Sequence, residues 1–276
     1  MAKGKAGFTE EQSACLAALY GRALDARKNE PILGDPTAEG AMRRIDYDFG
    51  KLGVSHVTAL MVAARARRFD DMVREFLRAH STATVLHLGC GLDSRVYRLA
   101  PPDSVHWIDV DHPDIVALRS EVYPDQPPHY TVIGSPVTDP AWVSRIPADA
   151  PTLVVAEGLI PYLHPDEGRA LLRALVEHLP SGEMIFDAMG SLAVRMQKLN
   201  PAVRRTKATL RWAIDDPREL EPLGLTTIRS LGPDEMVPPQ QRAKAPLPYR
   251  LQFAMLGMPL FRDLAHLMHA RFGQAT

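Results

Sequence analysis

Cysteine is scarce in this sequence: Cys15 and Cys90 are the two it has. Two thiols cannot build a disulfide framework, and they lack the paired spacing of a zinc site. An excess of charge is missing as well. The 32 Lys and Arg nearly balance 33 Asp and Glu, for a net charge of -1. A phosphate backbone or an anionic membrane therefore meets no surplus of positive charge, and neither nucleic acid nor membrane is an expected partner. No apolar run approaches a membrane span. The first seven residues are basic but lead into a polar stretch rather than an apolar signal core, so the expected location is the cytoplasm. Internal repeats are absent too.

What is present is 276 residues, 46% hydrophobic and 24% charged, the composition of an ordinary globular chain with one core and appended helices. Proline is frequent, with 24 residues, and its pairs at 101–102, 127–128 and 238–239 mark loops. Thr9 and Gln12 have capping-box spacing ahead of Cys15, Leu16, Leu19 and Tyr20, which predicts a helix starting near Thr9. From Ser55, apolar positions Val57, Leu60, Met61, Ala64, Phe69, Met72, Val73, Phe76 and Leu77 recur at three and four, the period of one amphipathic helix or a broken pair. A short strand over 84–88 runs into Gly89-Cys-Gly-Leu-Asp93, and Tyr97 and Leu99 begin the next element.

Strands over 104–110, 130–133, 152–156 and 183–187 follow, with helices between them, the best marked by Leu171, Leu172, Leu175, Val176 and Leu179. Pro113 near a first turn opens another helix. Such alternation predicts an α/β fold with a doubly wound, mostly parallel sheet. Beyond Gly190 the pattern weakens: 191–210 reads as helix, 217–223 as a short helix and 225–230 as a strand. The stretch 247–272 is open between a helix throughout and a final strand near 266–272.

A parallel sheet binds its ligand at the carboxyl ends of its strands, and four such ends stand out. Gly89 and Gly91 let the backbone turn tightly and pass close to a ligand. The dinucleotide fingerprint needs a third glycine three residues after Gly91, where this chain has Ser94, so the turn suits a ligand without a pyrophosphate. Asp111, 20 residues beyond Gly91, is placed to accept both hydroxyls of an adenosine ribose, which fits NAD and S-adenosylmethionine alike. Gly134-Ser135-Pro136 supplies a narrow turn for an adenine ring. Glu157 stands in an apolar setting where a carboxylate needs a cation or ammonium partner, a structural ion pair being the competing account.

Four ordered motifs carry a family resemblance. Val85-Leu-His-Leu-Gly-Cys-Gly-Leu-Asp-Ser-Arg95, Asp109-Val-Asp-His-Pro113, Ala156-Glu-Gly-Leu-Ile-Pro-Tyr-Leu163 and Arg65-Ala-Arg-Arg-Phe-Asp-Asp71 resemble those of the leucine carboxyl methyltransferase family. Its bacterial branch of tetracenomycin-type polyketide O-methyltransferases is the most similar, and 211–220 also resembles that branch. The resemblance spans about 55–231 and implies a Rossmann-like class I methyltransferase sheet with N-terminal helices and a helical lid insertion. It further implies S-adenosylmethionine as cofactor, no metal, and O-methylation of a small-molecule carboxylate, phenol or hydroxyl, such as a polyketide or other natural product.

By the same resemblance, Arg65 holds the methionyl carboxylate, which on spacing alone reads as a solvated helix charge beside Arg67 and Arg68. Gly89 matches a backbone contact, Asp111 the ribose carboxylate, and Glu157 a contact near the methionyl amine. Where the family usually has Asp and an aliphatic residue at the adenine turn, this chain has Ser135-Pro136, which alters the adenine contact. Asp109 and His87 read as structural, and Cys90 as a small residue in a tight turn.

A carboxylate acceptor needs no base, whereas a hydroxyl does. Tyr162 and His164 are the weak candidates for a catalytic role, His164 reading equally as an exposed loop residue. The expected organisation is one structural domain: a helical lid over 1–80 and a methyltransferase domain over 81–276, with cap elements around 191–212 and 236–262. Monomer and homodimer both fit. Two other readings use the same sheet: a nicotinamide-dependent reductase, and a non-catalytic S-adenosylmethionine-binding protein.

Overall fold

The computed structural model describes residues 8–197, 209–244, 247–258, 261 and 263–273. Thr9 caps the first helix, α1 (Glu10–Ala26), through a full capping box with Gln12. A short α2 (Pro36–Arg43), which the periodicity did not predict, starts at Asp35, whose carboxylate accepts the Thr37 amide. The stretch from Ser55 is one unbroken helix, α3 (His56–Ala79), rather than a pair.

Then come β1 (Ala83–Leu88), α4 (Arg95–Leu99), β2 (Val105–Asp111), α5 (Pro113–Val122), β3 (Tyr130–Gly134), β4 (Thr152–Ala156), α6 (Pro165–His178), β5 (Ser181–Met189) and α7 (Ser191–Met196). Two differences stand against the expectations: α4 begins at Arg95 and ends at Leu99, and a 3-10 helix at Pro140–Arg145 was not predicted. The short helix expected over 217–223 is also of 3-10 type. The helix expected over 191–210 is α7 at its start, and Leu210 lies outside any helix; 198–208 are outside the described residues.

After β6 (Thr226–Leu231) and short helices at Pro233–Met236 and Pro239–Lys244, the open stretch resolves into a helix, Leu247–Leu256, and a final strand, β7 (Ala265–Gly273). The seven strands form one sheet in the order β3-β2-β1-β4-β5-β7-β6. The first five are parallel, and β7 runs antiparallel between β5 and β6. Strands β1 and β4 are buried throughout, which is why they read as mostly apolar runs without alternation.

Helices cover both faces. On one, Trp142, Leu172, Leu175 and Trp212 pack against Leu86, Val154 and Phe186. On the other, Phe69, Val73 and Phe76 of α3 pack against Val85, Val155 and Ile185. Arg65 and Phe69 are one helical turn apart, so the turn that buries Phe69 also aims Arg65 at the sheet. Among the described residues no helix is long and apolar enough to cross a membrane.

Candidate active site

The order β2-β1-β4-β5 brings four strand ends side by side along one edge. Gly89 and Gly91 after β1 both adopt left-handed backbone, with φ of 61° and 52°. Their amides do not point at open space. The Gly89 N–H donates to the Val110 carbonyl at 2.8 Å, and the Gly91 N–H donates to Asp111 Oδ2 at 2.7 Å. Asp111 Oδ1 accepts the His112 amide at 2.7 Å. Turn and carboxylate are thus one unit, and each oxygen keeps a lone pair beyond the amide it accepts. Burial pushes the Asp111 carboxyl up despite those amides.

Ser94 stands where a dinucleotide turn has its third glycine, and it is fully buried. Its hydroxyl donates to Asp35 at 2.5 Å and accepts from Arg98 at 3.1 Å, so a side chain is required there. At the β3 end, the Ser135 amide donates to the Asp111 carbonyl at 2.8 Å. Its hydroxyl turns onto the Pro136 carbonyl at 3.2 Å, and both residues are half-buried.

Beyond β4, Glu157 is gripped by two arginines. Arg65 Nε donates to Oε1 at 3.0 Å, and Arg95 Nη2 donates to Oε2. Burial would raise this carboxyl, but Arg95 and then Arg65 outweigh it and hold the carboxyl below its ordinary value. The structural ion pair weighed from the sequence is therefore real, and it includes Arg65. The Arg65 side chain is 28% accessible, and its guanidinium also donates through Nη1 to Asp187 of β5 at 3.0 Å. It is not a solvated surface charge.

Behind this pair lies a buried array. Arg95 has no accessible surface; its Nε donates to Asp70 of α3 at 2.8 Å, and Nη1 lies 3.2 Å from His87 Nε2. Arg98 also holds Asp70 and pairs with Asp93, which Arg22 of α1 approaches at 3.5 Å. Asp109, two residues back from the strand end, accepts from Trp107 and Tyr130 at 2.8 and 2.6 Å and pairs with Arg119. This confirms its structural reading. Cys90 is buried and its thiol is pushed up by burial, as befits a packing residue.

Tyr162 is half-buried, its hydroxyl raised by burial while the Arg65 charge pulls the other way. His164 is exposed at the N-terminus of α6 and makes no side-chain cap. Among the described residues no group of three or more His, Cys, Asp or Glu is arranged to hold a metal ion.

Sequence reasoning missed Asp187, Arg95 and Asp70. A signal existed for Asp187: it is an acid at the carboxyl end of an apolar strand, like Asp111, but on the fifth strand rather than the four considered. The family model of leucine carboxyl methyltransferase matches residues 14–176.

The chain belongs to the leucine carboxyl methyltransferase family. It is 47% identical over 206 residues to the tetracenomycin polyketide synthesis O-methyltransferase TcmP of Streptomyces glaucescens, covering 75% of this chain and 76% of that protein. The S-adenosyl-L-methionine-dependent methyltransferase dpfgK of Gibberella zeae is 35% identical over 239 residues, covering 79% and 80%. A DUF574 family protein from Streptomyces avermitilis shares the fold, with a TM-score of 0.60 at 12% identity over 95% of this chain and 97% of that one. The Rossmann-like, mostly parallel sheet expected from the resemblance is the fold of this methyltransferase. Neither the reductase reading nor the non-catalytic one finds support among these relatives.

Proposed function

We propose that this methyltransferase uses S-adenosylmethionine to methylate an oxygen of a small molecule, a polyketide or related natural product, in the cytoplasm. The observation that carries this is the 47% identity to an O-methyltransferase of polyketide synthesis, joined to a sheet edge whose charges suit the cofactor. The residues present fit that group. A ribose diol calls for a carboxylate acceptor, which Asp111 offers at the edge of β2; an ammonium calls for an anion, which Glu157 offers; a carboxylate calls for Arg65.

The cofactor supplies a methyl group on a sulfonium, electrophilic enough for direct displacement. The chain's own part is alignment and exclusion of water, worth up to about 7–11 kcal/mol in favourable cases. Asp111, pinned by two amides, accepts from the ribose, and the glycine turn keeps that carboxylate in place. Arg65 and Glu157 fix the methionyl end, and Ser135 and Pro136 border the adenine. Of the segment 1–80, α3 packs into the core and 1–7 lie outside the described residues, so α1 and α2 are left to serve as the lid, and the helix Leu247–Leu256 contributes to the acceptor side.

A hydroxyl acceptor would need a base. Tyr162 is held protonated by burial and His164 faces solvent, so neither is poised for the task. The reading best supported is an acceptor that arrives as an oxyanion, a carboxylate or an acidic phenol. Labelled methyl transfer from S-adenosylmethionine across aromatic acids and phenols tests it. Acids and acidic phenols should be methylated; no binding of cofactor at millimolar concentration by calorimetry would end the proposal.

A further inference from the structure

The guanidinium of Arg65 is held on two sides by carboxylates from adjacent strands, and one of them has no role so far. Asp187 lies one residue past Phe186, which pairs with Ala156, so Asp187 and Glu157 stand next to each other at the sheet edge. Asp187 is 3% accessible. Its Oδ2 accepts from Arg65 Nη1 at 3.0 Å, and its Oδ1 accepts the Gly158 amide at 2.5 Å. Glu157 repeats that pattern: one oxygen on Arg65, the other on Arg95. Each carboxylate is therefore anchored at its far oxygen and grips Arg65 with its near one.

Gly158 adds an independent observation. Its φ is 69°, and a Cβ there would stand 3.3 Å from Arg65 Nη2. Glycine keeps that side of the guanidinium clear, and among the described residues Nη2 makes no hydrogen bond. Two nitrogens are committed to protein, and the third is presented.

We propose that Asp187 is a positioning residue for the methionyl end of the cofactor, acting through Arg65: with Glu157 it orients the guanidinium so that Nη2 meets the methionyl carboxylate. This rests on the reading of Arg65 given above. Asp187 makes its contacts to protein and is not a catalytic residue. An unrestrained arginine gives up rotamer freedom on being ordered, which the two carboxylates have already removed. The direct field of Asp187 on the ligand matters less. The methionyl head is a zwitterion, so attraction of its ammonium and repulsion of its carboxylate oppose each other.

The probes are S-adenosylhomocysteine, which has the methionyl head, and 5′-methylthioadenosine, which lacks it. Asp187→Asn keeps an acceptor for Gly158 but removes the charge. It should weaken S-adenosylhomocysteine roughly tenfold while leaving methylthioadenosine unchanged, since the charge-assisted hydrogen bond from Arg65 to the ligand stays and only its orienting share is lost. Asp187→Glu should recover part of the difference. Added to Arg65→Lys, Asp187→Asn should cost little more, because both act on one contact.

Equal weakening of both ligands would mean a merely structural role and overturn the proposal, as would an unchanged affinity for S-adenosylhomocysteine. If the unaltered protein binds neither ligand, the cofactor reading itself fails. If it binds both and Arg65→Lys abolishes their difference while Asp187→Asn does not, Asp187 alone loses its role. Should the Asp187 variants not fold, the guanidinium signals of the ligand-free protein, assigned with Arg65→Lys, give the answer: separate Nη resonances from hindered rotation are expected, and one averaged signal refutes the clamp.

Discussion

Asp109 and Asp111 are two residues apart on one strand, yet their surroundings drive their protons in opposite directions. Burial would raise Asp109, but the Arg119 guanidinium, His87 and Tyr130 hold it down to about 2. A carboxyl depressed on folding stabilises the protein above its unfolded value, near 3.8, and that contribution fades as pH falls toward 2. It amounts to about 2 kcal/mol. Asp109→Ala, which strands Arg119, should cost about 3–5 kcal/mol in urea unfolding at neutral pH.

Asp111 is raised, chiefly by burial, so its own contribution to stability is present at low pH and lost as pH rises through its folded value. Ribose hydroxyls donated to the carboxylate would relieve that cost. The affinity for S-adenosylhomocysteine should therefore improve with rising pH as Asp111 ionises, and Asp111→Asn should flatten this dependence. An identical pH profile in the variant would remove Asp111 from the ribose.

Arg65 shows how far single residues were legible. Its spacing on α3 is that of any helical arginine, and only the family resemblance singled it out. The contacts that define it come from positions 92 and 122 residues away in sequence.

At the scale of elements, β1 and β4 were placed almost to the residue, because a strand buried on both faces is a plain apolar run bounded by turn residues. The same burial left β7 undecided. Between β5 and β6 it loses the alternation that marks a half-exposed strand, and Leu267, Met268 and Ala270 fit a buried helix equally well. Helix α2 was missed because eight residues hold barely two turns of periodicity.

One contact between elements is tight enough to test. A Cβ on Gly168 of α6 would lie 2.1 Å from Cζ3 of Trp212, a ring that is 3% accessible and so has no room to retreat. Alanine would gain up to about 1 kcal/mol of helix propensity, but overpacking costs about 1–3 kcal/mol. Gly168→Ala should lower the urea midpoint, and adding Trp212→Leu should restore part of it. A midpoint that rises in the single variant would show that the 209–214 strip is not held against α6.

For the whole molecule, strand order is the decisive property. Asp111 on β2 and Asp187 on β5 are three strand spacings apart, roughly 14 Å, so one elongated ligand lying along the edge can engage both ends at once. Binding there joins elements from α3 to β5 and should stabilise the entire fold. At a concentration one hundred times its dissociation constant, S-adenosylhomocysteine adds about 2.7 kcal/mol. For a chain of this size that corresponds to an increase of several degrees in Tm. Arg65→Gln should lose most of the increase and, because it leaves the buried Glu157 and Asp187 short of a cation, should also unfold below the wild-type temperature without ligand. A full increase retained in that variant would count against the arginine.

The sharing of arginines behind the glycine turn also sets terms for anyone wishing to redesign this protein. Arg95 answers to Asp70, Asp93 and Glu157 together, so recoding any one of these positions unbalances the buried charge that the others share. Libraries aimed at a new methyl donor would need coordinated exchanges across α3, the turn and the end of β4. The exposed Leu247, Leu251 and Met255 of the late helix have no place in that array and can be exchanged singly.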